Sequence, residues 1–161
     1  MPPHHDTLHA TLIAENAALR TFIEVLRNEQ QALLKGETDH LALFTEPKAR
    51  LALDLSRLGL QRQQCLRDHG MTGDRAGMEL WLNQQRHPVR DSREHVQWQQ
   101  LLQMAAAANQ LNTHNGLLIA ARLNTTQRAL NTLFSAARIP AAYAPDGSTI
   151  GLRAAHQIAV A

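Results

Sequence analysis

Cysteine is nearly absent from this chain: Cys65 stands alone among 161 residues. A single thiol excludes an internal disulfide framework and a cysteine-based zinc site, and it fits a reducing cytoplasm. Aromatic residues are scarce at 4%, although hydrophobic residues reach 44%. Leu and Ala supply most of that apolar character, and both are strong helix formers. The sequence holds no glycine-rich phosphate loop and no His-Glu-x-x-His, so two common signatures of nucleotide and zinc chemistry are missing. No apolar run approaches the roughly 20 residues a bilayer span needs. The opening Met1-Pro2-Pro3-His4-His5 has neither the charged nor the apolar region of a secretory leader. A cytoplasmic chain without membrane insertion is expected, and the Asn124-Thr125-Thr126 sequon then has no consequence. Acid is also missing locally: none stands between Glu94 and Asp146, a span holding Arg122, Arg128 and Arg138. With a net charge of only +2, this thin positive stripe reads as a solvated helix face, and no nucleic-acid partner is expected.

What is present is helical spacing. After loose residues 1–5, Asp6 or Thr7 is expected to cap a first helix. Leu8, Leu12, Leu19, Phe22, Leu26 and Leu33 share one stripe, interrupted by Glu15 and Glu29 and widened by Ile13, Ile23 and Leu34. Lys35 and Gly36 form a stop signal. The short Gly36-Glu37-Thr38 turn predicts an antiparallel second helix starting near Thr38 or Asp39. Along it Leu41, Phe44, Lys48, Leu51, Leu55, Leu58, Arg62 and Cys65 step by threes and fours. Pro47 predicts either a kink or a restart capped by Thr45. His69-Gly70-Met71-Thr72-Gly73 ends this helix. A short helix over about 74–85, with Met78, Trp81 and Leu82 on one face, is expected to close one end of the bundle before His87-Pro88 breaks the chain.

The organising stretch follows. Asp91 stands three residues before Glu94, the spacing of a reciprocal cap, and no proline recurs before Pro140. Leu101, Met104, Ala108, Leu111, Asn115, Leu118, Arg122, Thr125 and Ala129 alternate threes and fours, the seam of a helix packed along another. A helix over about 90–134 would be roughly 65 Å long. It exceeds the two helices before it, so part of its apolar surface lacks a cover, and exposed apolar surface marks a partner site. The fold expected is all-α: an elongated antiparallel helical bundle or coiled coil over residues 1–139, with three long helices, one short connecting helix, and a flexible C-terminal tail over 140–161.

Candidates for chemistry are few. His5 and His9 could share a helix face at a frayed terminus, and His87 and His95 flank a loop. His114 lies between two asparagines, and Cys65 reads as a small core residue. No catalytic residue, metal ligand or cofactor is expected. Asn112 and Asn115 are more informative, because asparagine at a core position fixes register at a cost in stability. They form either a register-setting layer or polar contacts to another chain, and Gly116 beside them allows close approach. Tyr143, the one tyrosine, precedes a Pro145-Asp146-Gly147 turn. It is either an ordinary surface residue or a docking anchor.

With Asn112-x-x-Asn115-Gly116-x-Leu118-Ile119 in a long helix, Tyr143-Ala144-Pro145-Asp146-Gly147 some 25 residues on, and the Gly36…Leu41…Lys48…Leu55…Arg62 hairpin before them, the chain resembles the FlgN family of flagellar export chaperones over roughly residues 8–156. Ala144 stands where the family often has glycine. The resemblance implies a cytoplasmic, non-catalytic chaperone of flagellar type III export. It would bind hook-associated (hook–filament junction) subunits near their C-terminal ends and deliver them to the export gate, including the cytoplasmic domain of FlhA. By the same resemblance the gate contact falls on Tyr143, and client binding on Asn115, Leu118, Arg122 and Leu133. The rival reading is a coiled-coil scaffold that self-associates through the long helix, which would make the chain a homo-oligomer and leave Tyr143 without a role.

Overall fold

The structure, a computed structural model, describes residues 3–84 and 92–136, with side chains from Thr7 onward. They form α1 (Pro3–Lys35), a 3-10 turn (Thr38–His40), α2 (Ala42–Asp68), α3 (Arg75–Gln84) and α4 (Arg93–Ala136). The all-α class follows the spacing, and no strand occurs among the described residues. The chain divides into two compact units, Met1–Asn115 and Gly116–Ala161, with the boundary inside α4. Residues 140–161, expected to be a flexible tail, lie outside the described residues.

Helix starts differ from expectation in three places. α1 begins at Pro3 rather than at Asp6 or Thr7, because proline's fixed φ suits a first helical position where its missing N–H costs nothing. α2 begins at Ala42; Thr38–His40 form a 3-10 turn first, with Leu41 N–H donating to the Thr38 carbonyl at 3.1 Å. Pro47 lies in the second turn of α2, which neither breaks nor restarts at Thr45; so near the N-terminus, the proline deprives only the Leu43 carbonyl of a donor. α4 is capped by Ser92, whose Oγ accepts from His95 N–H at 3.1 Å, so the helix starts one residue later than the Asp91 cap predicts.

The C-terminal stops are as read, and both use the same geometry. Gly36 (φ 84°) and Gly70 (φ 73°) take the left-handed conformation that glycine adopts without strain. After α1, Glu37 N–H donates to Ala32 O (3.0 Å) and Gly36 N–H to Leu33 O. After α2, Met71 N–H donates to Leu66 O (2.9 Å) and Gly70 N–H to Arg67 O (2.8 Å). Each pair satisfies carbonyls that a helix end otherwise leaves open. α3 opens on Asp74, whose Oδ1 accepts from Thr72 Oγ1 (2.6 Å) and Gly77 N–H (2.9 Å). These bonds hold its carboxyl below the ordinary range. Gly77 is buried, and a Cβ there would sit on the Thr72 carbonyl oxygen.

In the first unit, Leu8, Leu12, Leu19, Ile23 and Leu26 of α1 join Leu66, Met78, Trp81, Leu82, Trp98, Leu101 and Ala108 in one core. Two ion pairs fix the hairpin register. Glu15 Oε2 accepts from Arg62 Nε at 2.8 Å, and both Glu29 oxygens accept from Lys48 Nζ at 2.9 Å. The pairs lie two heptads apart on both helices and run in opposite directions, so α1 and α2 are antiparallel with one constant offset. α4 is tied to α1 through Asn16 Nδ2, which donates to Gln97 O (3.0 Å) and Gln97 Oε1 (2.8 Å), and through His9 Nδ1, 3.6 Å from Glu94 Oε1. The order of these contacts shows α4 running in the direction of α1 up to Asn115. The Arg62 guanidinium also lies 5.1 Å from the centre of the Trp98 ring, linking α2 to α4.

Buried pairs of this kind fail when one member is removed. Arg62→Met is expected to cost about 3–5 kcal/mol of stability in urea unfolding, and Glu15→Leu/Arg62→Met to recover most of that loss; equal losses in both would refute the pairing. Burial outweighs Arg62 and lifts the Glu15 carboxyl above its ordinary 4.5. The folded chain therefore holds this proton to higher pH than the unfolded chain does. Its contribution to stability is full below 4.5 and is lost as pH rises through the raised value. Measured against Glu15→Gln, the parent protein should lose relative stability across that window as pH increases.

Candidate functional site

Asn115 is 0% exposed. Its Nδ2 donates to the Leu26 carbonyl and to Glu29 Oε2, both at 2.8 Å. With Lys48 on the same carboxylate, three helices meet at Glu29. Asn115 is thus part of a register-setting layer and offers no free surface. A side-chain amide bonded to an anionic acceptor and a carbonyl cannot slide by a residue without losing both bonds.

The second unit is described over 116–136, all of it helix without a buried residue. Ile119, Leu123, Thr126, Leu130 and Leu133 step by four, three, four and three, the spacing of a packing seam. Yet Leu123 is 58% exposed, Leu133 64%, Leu130 45% and Ile119 41%. Phe134 stands exposed beside this row. At Gly116, a Cβ would meet no other element among the described residues within 4 Å.

Of the residues singled out in the sequence, Asn115 is buried, Leu118 and Arg122 are half-buried, and Leu133 is exposed. Tyr143 lies outside the described residues. The predicted seam through Leu118, Arg122, Thr125 and Ala129 misses the exposed row by one residue. From Leu111 the apolar positions take three successive steps of four, to Asn115, Ile119 and Leu123, and the stripe moves onto the neighbouring row. That extra step is visible in the sequence and is hidden by extending strict three-four alternation past Asn115. Ile119, Leu123, Leu130 and Phe134 are exposed residues that the client-binding set read from the sequence did not include.

The described residues show no convergent chemistry elsewhere. The groove around Glu15 and Arg62 is walled by Leu55, Leu101, Leu102 and Ala105, and no further titratable side chain lines it. Burial, then the nearby Asp68, pushes the Cys65 thiol up, away from the reactive thiolate. Among the described residues, no three His, Cys, Asp or Glu side chains are placed to hold a metal, and no helix is long and apolar enough to cross a membrane.

A crystal structure from Pseudomonas aeruginosa, of a chain described as a flagella synthesis protein FlgN, shares this helical fold: the TM-score is 0.62 at 24% identity, over 79% of this chain and 95% of that one. No curated protein matches the chain. The model of the FlgN protein family matches residues 1–150. A match over that length shows that the chain belongs to the FlgN family.

Proposed function

We propose that this chain is a non-catalytic chaperone of flagellar type III export acting in the cytoplasm. It binds hook-associated subunits near their C-terminal ends, keeps them unassembled, and delivers them to the export gate through the cytoplasmic domain of FlhA. The observation that carries the reading is the exposed row Ile119, Leu123, Leu130 and Leu133, in a chain of the FlgN family. A client terminus that is unfolded and amphipathic lays its apolar face on such a row, as helix-in-groove recognition does. The cost of ordering the client keeps affinity moderate, which suits a chaperone that must release its cargo.

In this division of labour, Leu118, Arg122 and Leu133 contact the client together with the neighbouring exposed row. Asn115 acts from beneath, holding the helix face at a fixed rotation through Glu29. Tyr143 contacts the gate.

The test is size-exclusion chromatography with light scattering on the full chain mixed with a purified hook–filament junction subunit. A complex is expected with the intact subunit and none with the subunit lacking its C-terminal segment. A complex that persists after that truncation would refute C-terminal recognition, and absence of any complex would leave the scaffold reading. Leu133→Ser should weaken client binding by roughly tenfold, the effect of losing an apolar anchor worth about 1–2 kcal/mol. Tyr143→Ala should weaken binding to the FlhA cytoplasmic domain and leave client affinity and helical content unchanged; loss of client binding in that variant would end the proposed separation of roles.

A further inference from the structure

The layer at Glu29 ties α2, a helix with no proposed client contact, to the helix that carries the exposed row. Lys48 belongs to α2, and its Nζ reaches both Glu29 oxygens at 2.9 Å. Glu29 Oε2 also accepts from Asn115 Nδ2 at 2.8 Å. Asn115 is the last buried residue of α4, which runs on to Ala136. Its Oδ1 is buried and receives no donor among the described residues. The side chain is therefore held through Nδ2 alone, on the Leu26 carbonyl and on Glu29. One of those two acceptors stays in place because Lys48 keeps it there. Glu29 is 5% exposed, and a buried carboxylate left with one neutral donor turns toward water to recover its solvation. Loss of Lys48 thus reaches Asn115 without touching it. Residues 116–136 bury no side chain of their own, so their helical order depends on the turn before them. A client that binds the helical form meets less of it when that turn loosens, and its apparent affinity falls in proportion.

We propose that Lys48 is a positioning residue for the client row: through Glu29 it holds Asn115, and through Asn115 the helical order of 116–136. The inference rests on the client-binding reading for its consequence. The other buried pair supplies the contrast. Arg62 is bonded to Glu15 and meets α4 at Trp98, well before Asn115. It shares no hydrogen bond with the Glu29 layer. Removing Arg62 strands a buried carboxylate just as removing Lys48 does, yet leaves both bonds of Asn115 in place.

The experiment combines millisecond hydrogen exchange on the full chain, read by mass spectrometry, with calorimetric affinity for a purified hook–filament junction subunit. Lys48→Met should speed exchange over 116–136 by about fivefold and weaken client binding by a similar factor. Arg62→Met is the matched control. It lowers the stability of the fold by the same kind of lesion, and should leave exchange over 116–136 and client affinity as in the parent. A merely structural role for Lys48 would not separate these two variants. Glu29→Gln/Lys48→Met should bring both readouts back to within about twofold of the parent. Glutamine Oε1 accepts from Asn115 Nδ2, its Nε2 is a donor for the unpaired Asn115 Oδ1, and no buried charge remains to be solvated. Parent-like exchange and affinity in Lys48→Met, equal effects from Arg62→Met, or a double variant that stays impaired would overturn the proposal. If the parent chain binds no junction subunit, the chaperone reading fails, and exchange over 116–136 in the same three variants still decides the coupling. A parent that binds the subunit while Lys48→Met alters neither readout would overturn this inference and leave the chaperone reading intact.

Discussion

The first unit depends on one carboxylate. Glu29 is 5% exposed, yet it receives Lys48 from α2 and Asn115 from α4 while its own backbone belongs to α1. A buried anion is tolerated only where donors surround it. Each donor fixes a different relation: Lys48 sets the sliding position of the hairpin, and Asn115 sets the rotation and height of α4. An apolar residue at position 29 would fill the space and specify neither, because leucine layers slide past one another at little cost.

The same logic repeats at Glu15, where Arg62 both pairs with the carboxylate and lies over Trp98. At this second layer, desolvation outweighs the ion pair and the carboxyl is raised. Register is therefore obtained at some expense of stability at neutral pH, and the leucines of the core supply the compensation. Apolar burial and polar specification are divided between different residues of α1, on the same face of one helix.

Much of this was legible in the sequence, and for a physical reason. Three-four spacing reports a helix face directly, so the long helices, the short one with Met78, Trp81 and Leu82, and the glycine stops at Gly36 and Gly70 follow from local rules. Glu15 and Glu29 stood out as polar interruptions, and Lys48 and Arg62 as charged members of a seam. That they form pairs is a matter of offset between two helices, which no single stretch of sequence contains. Helix starts were less legible. A cap is chosen among adjacent residues by small differences in geometry, and Ser92 beside Asp91 is such a choice. In the candidate site, Leu133 was legible as an apolar residue, whereas the row it belongs to was obscured by the extra step at Asn115. The role of Asn115 was open between two readings, because the same side chain serves a buried layer or a partner equally well until its neighbours are known.

The absence of any buried side chain over 116–136 bears on how that part of the helix exists at all. An isolated helix of this length is marginal in water, chiefly because its first turn is costly to nucleate. Asn124, Thr125, Thr126, Asn131 and Thr132 are middling helix formers that add little. In α4 the nucleus is already made, since Asn115 holds the preceding turns in a fixed helical conformation. The residues beyond need only propagation, one hydrogen bond at a time. Among the described residues the segment is thus helical without a core of its own, and its helix rests on propagation from the turns that Asn115 holds.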